Sequence, residues 1–115
     1  MLEGAEACFA TASGMAAMHA SMFSQLEAGD HVIASRALFG SCHYILDNLL
    51  PRFGVETTLV EGTDIAAWQN AVRPETKVFF LETPSNPTLE IIDIPAVADV
   101  AHAAGAVLVL SLIHI

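Results

Sequence analysis

Positive charge is what this sequence has least of. Its 115 residues include 4 Lys+Arg against 13 Asp+Glu, and Lys77 is the single lysine. Nucleic acids and anionic membrane surfaces both recruit basic residues. A net charge of -9 therefore leaves no nucleic acid and no membrane among the expected partners. Cysteine is scarce as well. Cys8 and Cys42 stand in apolar stretches without a C-x-x-C spacing, which leaves two buried thiols in a cytoplasmic protein as the expectation. The five histidines are scattered along the chain, so no metal site is expected. Neither G-x-G-x-x-G nor a Walker-type glycine loop is present, which excludes the dinucleotide and P-loop readings. Met1-Leu2-Glu3 offers neither a basic start nor an apolar run, so no secretory leader is expected. The longest charge-free stretch, Ala7 to Leu26, is interrupted by Thr11, Ser13, His19, Ser21 and Gln25, and a membrane span is rejected.

Apolar residues are what the chain has in excess. Hydrophobic residues make up 54% and charged residues 15%, against about 25% charged in ordinary globular proteins. Mean hydropathy is +0.55. A domain of this length must leave much of its surface wet, so the composition reads as the interior of something larger.

The order of segments predicts an α/β fold with a mostly parallel sheet. Strands are expected at Ala7–Thr11, His31–Ala34, Val55–Val60, Lys77–Leu81 and Ala106–Leu110. Helices are expected between them: Gly14 to Glu27, Gly40 to Phe53, Asp64 to Val72 with Thr63 as cap, and Pro95 to Ala104 with Asp93 as cap. Val78–Leu81 and Ala106–Leu110 are apolar at every position, as strands covered on both faces are.

Ligands of such sheets bind at the carboxyl ends of the strands. Three segments there carry polar chemistry. Ser13-Gly14-Met15 opens a helix, whose free N–H groups suit a phosphate. Phe39 beside Gly40 can lay a ring on a planar ligand. Glu82-Thr83-Pro84-Ser85-Asn86-Pro87 holds Asn86, both donor and acceptor, between two prolines, after a Glu82 that needs a partner at the end of a buried strand. Trp68 reads as a packing anchor. From spacing alone, an ordinary strand-to-helix turn is the favoured reading of the first segment, and a core phenylalanine at a helix start is the commoner reading of the second.

Taken together, Leu2-Glu3-Gly4-Ala5-Glu6 with Ala12-Ser13-Gly14-Met15-Ala16-Ala17, then Leu38-Phe39-Gly40-Ser41, then Glu82-Thr83-Pro84-Ser85-Asn86-Pro87-Thr88 resemble the Cys/Met-metabolism family of PLP-dependent enzymes, from Leu2 to about Val109. Phe39-Gly40-Ser41-Cys42 and Arg52-Phe53-Gly54-Val55-Glu56 are most similar to its sulfhydrylase branch, which acts on homoserine esters. The resemblance implies part of the PLP-binding large domain of the type I aminotransferase-like fold. It implies pyridoxal 5'-phosphate as cofactor and γ-replacement on an O-acylhomoserine with sulfide as the parent reaction. It also implies a cytoplasmic homotetramer. Gly14 and Met15, with Ser13 nearby, would hold the phosphate. Phe39 would stack on the ring, Asn86 would meet both cofactor and substrate, and Glu82 would orient the Asn86 loop.

Two parts of that machinery are not found. PLP chemistry uses a lysine for the cofactor aldehyde and an acid at the ring nitrogen. Lys77 starts its strand, at the wrong end of the sheet. Where the resemblance places the aspartate, this chain has Ser111. No catalytic residue is therefore expected in this chain, and the upstream tyrosine/arginine arm of the family is not found either. Residues 110–115, Leu-Ser-Leu-Ile-His-Ile, fit nothing in the family. They match a translation of CTG TCT CTT ATA CAC ATC, a transposon-end sequencing adapter, and are expected to be foreign to the domain at 2–109. The rival readings are a cystathionine synthase or lyase of the same family, and a non-catalytic module that binds phosphate or a partner.

Overall fold

The computed structural model describes residues 4–36, 43–82 and 92–111. Helix α1 spans Gly14–Phe23 and is followed by strand β1, His31–Ser35. Helix α2 is π-wound over Ile45–Leu49 and α-wound over Leu50–Arg52. Then come β2, Glu56–Val60; α3, Ile65–Ala71; β3, Thr76–Glu82; α4, Ile94–Ala103; and β4, Val107–Ser111. The four strands form one parallel sheet in the order β2-β1-β3-β4.

Side chains alternate across a strand, and this alternation sorts the core into two halves. Val32, Ala34, Val78 and Phe80 face Met18 and Met22 of α1 and Ile45, Leu46 and Leu50 of α2. Ile33, Phe79 and Leu81 face Trp68 of α3 and Val97 and Ala101 of α4. The result is a sheet between two helical layers, with β3 buried almost throughout. Two aspartates start the helices of the second layer. Asp64 accepts from the N–H groups of Ala66 and Ala67, and Asp93 accepts from that of Ala96. The cap of α3 is thus Asp64, not Thr63. A carboxylate at Ncap satisfies orphan donors and meets the positive end of the helix dipole.

Several expectations are corrected. Ala7–Thr11 forms no strand and is exposed, Phe9 to 88%. A strand needs a neighbour's ladder, and this segment joins none. Cys8 is consequently an exposed free thiol instead of a buried one, while Cys42 lies outside the described residues. Helix α1 stops at Phe23, earlier than Glu27. The wide turn of α2 has a local cause. Pro51 has no N–H to give and its ring crowds the carbonyl four residues back, and the N–H of Leu50 reaches back to the oxygen of Ile45. β4 is not covered on both faces: Val107 is exposed and the other four residues are half-buried, because β4 is the edge of the sheet. Between His31 and Val32 the register with β3 slips, so Lys77 is the extra, exposed residue at the start of β3. Among the described residues no helix is long and apolar enough to cross a membrane.

Candidate functional site

The start of α1 is built by Ser13. Its backbone is extended, with φ -158 and ψ 164, and its hydroxyl oxygen accepts the N–H of Ala16 at 3.1 Å. The hydroxyl of Thr11 donates to the Ser13 carbonyl at 2.8 Å, and the first helical bond runs from Ala17 to that same carbonyl. The first N–H groups of a helix have no acceptor within it. Ser13 answers for Ala16; among the described residues nothing answers for Gly14 or Met15.

Gly14 is not required by the backbone, since its φ is not positive. It is not required by packing either: an added Cβ would meet nothing within 4 Å. The space that its missing side chain leaves belongs to a cleft of about 360 Å³. Gly14, Ala17, Met18 and Ser21 form one wall, and Phe80, Val109, Leu110 and Ser111 form the other. These are the start of α1 and the carboxyl ends of β3 and β4, where open α/β sheets take their ligands. Donors at one end, apolar walls and an open glycine suit a flat ring that carries a phosphate.

Of the residues singled out in the sequence, Gly14 lines the cleft, and Ser13 and Met15 flank it on α1. Glu82 ends β3, is 1% exposed, and has its Cα opposite that of Ser111. It shares a strand face with Phe80 but does not line the cleft. Phe39 and Asn86 lie outside the described residues, as does the rest of the Thr83–Pro87 loop. Lys77 is the second residue of β3, at the other end of the strand from the cleft, and does not line it. Ala17, Ser21 and Phe80 were not anticipated. Their signals are periodicities: Ala17 and Ser21 fall three and seven residues after Gly14, on one helix face, and Phe80 falls two before Glu82.

The opposite end of the sheet is polar. The imidazole of buried His31 bridges three strands. Its Nδ1 is 2.7 Å from Oγ1 of Thr76, and its Nε2 is 2.8 Å from Oγ1 of Thr58. Burial pushes its pKa below the ordinary value. Arg73 acts in the same direction, while Glu75 and Glu56 oppose it. Arg73 pairs with Glu56 at 2.6 Å on the surface.

Comparison with known proteins agrees with this geometry. The profile of the Cys/Met metabolism PLP-dependent enzymes matches residues 1–112. O-succinylhomoserine sulfhydrylase of Mycobacterium tuberculosis is 51% identical over 110 residues, 96% of this chain and 27% of that protein. The enzyme of the same name from Pseudomonas aeruginosa is 50% identical over 107 residues, and an L-methionine gamma-lyase of Fusobacterium nucleatum is 39% identical over 109. The chain spans 27% and 28% of the lengths of these two relatives. Among solved structures, O-acetylhomoserine sulfhydrylase of Wolinella succinogenes superposes with a TM-score of 0.90 at 39% identity. That match covers 95% of this chain and 32% of the other. Cystathionine gamma-lyase of Lactobacillus plantarum superposes with 0.85 at 41% identity, over 90% of this chain and 27% of the other. The sheet of four parallel strands, the cleft at their carboxyl ends and the match over residues 1–112 make this chain a member of the Cys/Met-metabolism family of PLP-dependent enzymes.

Proposed function

We propose that the chain is part of a PLP-dependent sulfhydrylase whose parent replaces the γ-acyloxy group of an O-succinylhomoserine-type substrate with sulfide, giving homocysteine. The observation that carries it is the meeting of the α1 N-terminus with the ends of β3 and β4 in one cleft. The two sulfhydrylases at 51% and 50% identity support the choice of branch.

Bound pyridoxal phosphate supplies the electron sink for such chemistry. The chain's own residues do the rest of what can be assigned to them. The N–H groups of Gly14 and Met15 hold the phosphate. The Ser13 oxygen already accepts from Ala16, so its O–H proton remains to donate. Met18 and Phe80, on the two walls of the cleft, help to exclude water from the ring. Phe39 as the stacking ring, Asn86 as the contact to cofactor and substrate, and Glu82 as the residue that positions the Asn86 loop are supported by the resemblance alone. So are the cytoplasmic location and the homotetrameric parent. The proposal takes residues 2–109 as part of the PLP-binding domain. Leu110 and Ser111 complete β4, and a contiguous genomic read decides whether 110–115 is foreign. No catalytic residue is assigned to this chain, because Lys77 does not line the cleft, and the chain by itself is proposed to be inactive.

Equilibrium dialysis of the 115-residue chain tests the cofactor reading. Pyridoxal 5'-phosphate is expected to bind, to be displaced by inorganic phosphate, and to outcompete pyridoxal. Equal binding of the two, or a new visible absorbance band lost in Lys77→Ala, contradicts it. The choice between γ-replacement and elimination is made on a full-length parent, with a homoserine ester plus sulfide against methionine.

A further inference from the structure

His31 stands at the amino end of β1, and its neighbours fix its tautomer. Thr76 Oγ1 accepts the backbone N–H of Arg73 at 2.9 Å and lies 2.7 Å from His31 Nδ1. Thr76 is buried, and among the described residues its hydroxyl proton has no acceptor other than Nδ1. A hydroxyl has one proton and two lone pairs. The Thr76 O–H therefore donates to Nδ1. The ring proton sits on Nε2, where it donates to Thr58 Oγ1 at 2.8 Å. An imidazolium does not fit this arrangement. With a second ring proton on Nδ1, Thr76 Oγ1 would accept twice, and its own proton would be buried without a partner.

Beside the ring lies a cavity of about 170 Å³, which His31 lines together with Asp30, Glu56 and Glu75. These carboxylates come from the turn before β1, from β2 and from the turn before β3. Arg73 offsets part of their charge, since it pairs with Glu56 at 2.6 Å and reaches Glu75 at 4.0 Å. Asp30 also accepts the N–H of Glu27 at 2.8 Å. Lys77 of β3 and Arg52 of α2 are exposed and do not line the cavity. A neutral ring is thus satisfied between two hydroxyls, and a charged ring finds its partners on the cavity side.

We propose that His31 is a pH-operated latch at the amino end of the sheet. As the Nε2–H tautomer it joins β2, β1 and β3. As the cation it turns into the acidic cavity and releases Thr58 and Thr76. The turn held by Arg73 and Thr76 opens with it, while β1 and β3 stay paired from Val32 to Ala34. Latch and cleft stand at opposite ends of the sheet, and neither depends on the other.

Nitrogen NMR of the imidazole and amide hydrogen exchange, both on the 115-residue chain, test this. At neutral pH Nε2 is expected to carry the proton and Nδ1 none. Protection factors correct for the intrinsic pH dependence of exchange. Below about pH 6.5, those of the Arg73 and Thr76 amides should fall by up to about tenfold per pH unit, the linkage of one proton. Those of Ile33 and Phe80 should hold. Replacing the cavity carboxylates, Glu56→Gln with Glu75→Gln, should move the opening to lower pH, and His31→Gln should abolish its pH dependence. A proton on Nδ1 at neutral pH overturns the proposal. So does a ring that titrates while Arg73 and Thr76 stay protected, or an opening that persists unchanged in His31→Gln. Loss of protection at Ile33 and Phe80 together with Arg73 overturns it too, because the event is then global unfolding. The wild-type measurements decide the matter even where a variant fails to fold.

Discussion

The indole N–H of Trp68 donates to the carbonyl oxygen of Gly62 at 3.0 Å, and both residues are buried. The same indole lies over Phe79 of β3, with ring centres 5.6 Å apart and planes 13° from parallel. One side chain thus ties α3 to the sheet and closes the turn that precedes it. Trp68→Phe keeps a ring for Phe79 but orphans a buried carbonyl, and is expected to cost about 1–3 kcal/mol. Trp68→Ala adds a cavity and should cost about 3–5 kcal/mol. Urea midpoints of the two variants check this; equal losses contradict the role given to the hydrogen bond.

His31 sets a pH dependence of stability. Its folded pKa is lowered from 6.5, first by burial and then by Arg73. Below 6.5 the unfolded chain takes up this proton more readily than the folded one, so stability is full above 6.5 and declines as the pH falls. His31→Gln should flatten the profile between pH 7.5 and about pH 5, whatever its own stability. Parallel urea-midpoint profiles for the two proteins sink the assignment.

Two glycines should respond in opposite ways. At Gly54 φ is +78, and an added Cβ would stand 3.1 Å from that of Ala28. Gly54→Ala is expected to cost about 1–3 kcal/mol, as side chains at positive φ do. Thermal unfolding reads the loss, and an unshifted midpoint contradicts it.

Gly14→Ala has open space and an ordinary φ, and alanine is the better helix former. Stability should stay level or rise slightly. Affinity for pyridoxal 5'-phosphate should fall about tenfold, equivalent to about 1.4 kcal/mol, because the methyl group occupies the cleft. Undiminished binding removes Gly14 from the site.

Cys8 should react with a maleimide in native buffer as fast as a free peptide thiol, since it is exposed. Peptide mapping after brief labelling identifies the residue. Protection of Cys8 until denaturant is added contradicts the exposed segment.

Much of the fold is legible in local chemistry. Asp93 caps its helix as its sequence position suggests, and β3 is buried because all of Val78–Leu81 is apolar. The start of α1, where Gly14 lines the cleft, was legible for a similar reason: a serine cap followed by glycine is a short-range signal. The rest of the site was not. Ser21, Phe80 and Ser111 are brought together by the layering of α1 on β3 and β4, and no local pattern encodes such a meeting.

By itself, then, the sequence determined the alternation of helix and strand, the caps and the buried centre, because each depends on residues within a turn or two. Tertiary structure alone decided which strands stand at the edges. Val107–Ser111 is as apolar as β3 yet half-exposed, because sheet order puts one beside the other and leaves the far side of β4 open. Ala7–Thr11 has the composition of a strand and is not one, because a strand exists only with a partner to bond. The scarcity of positive charge carries over to the cleft. A single lysine at the wrong end of β3 leaves the site with backbone donors, apolar walls and two hydroxyls.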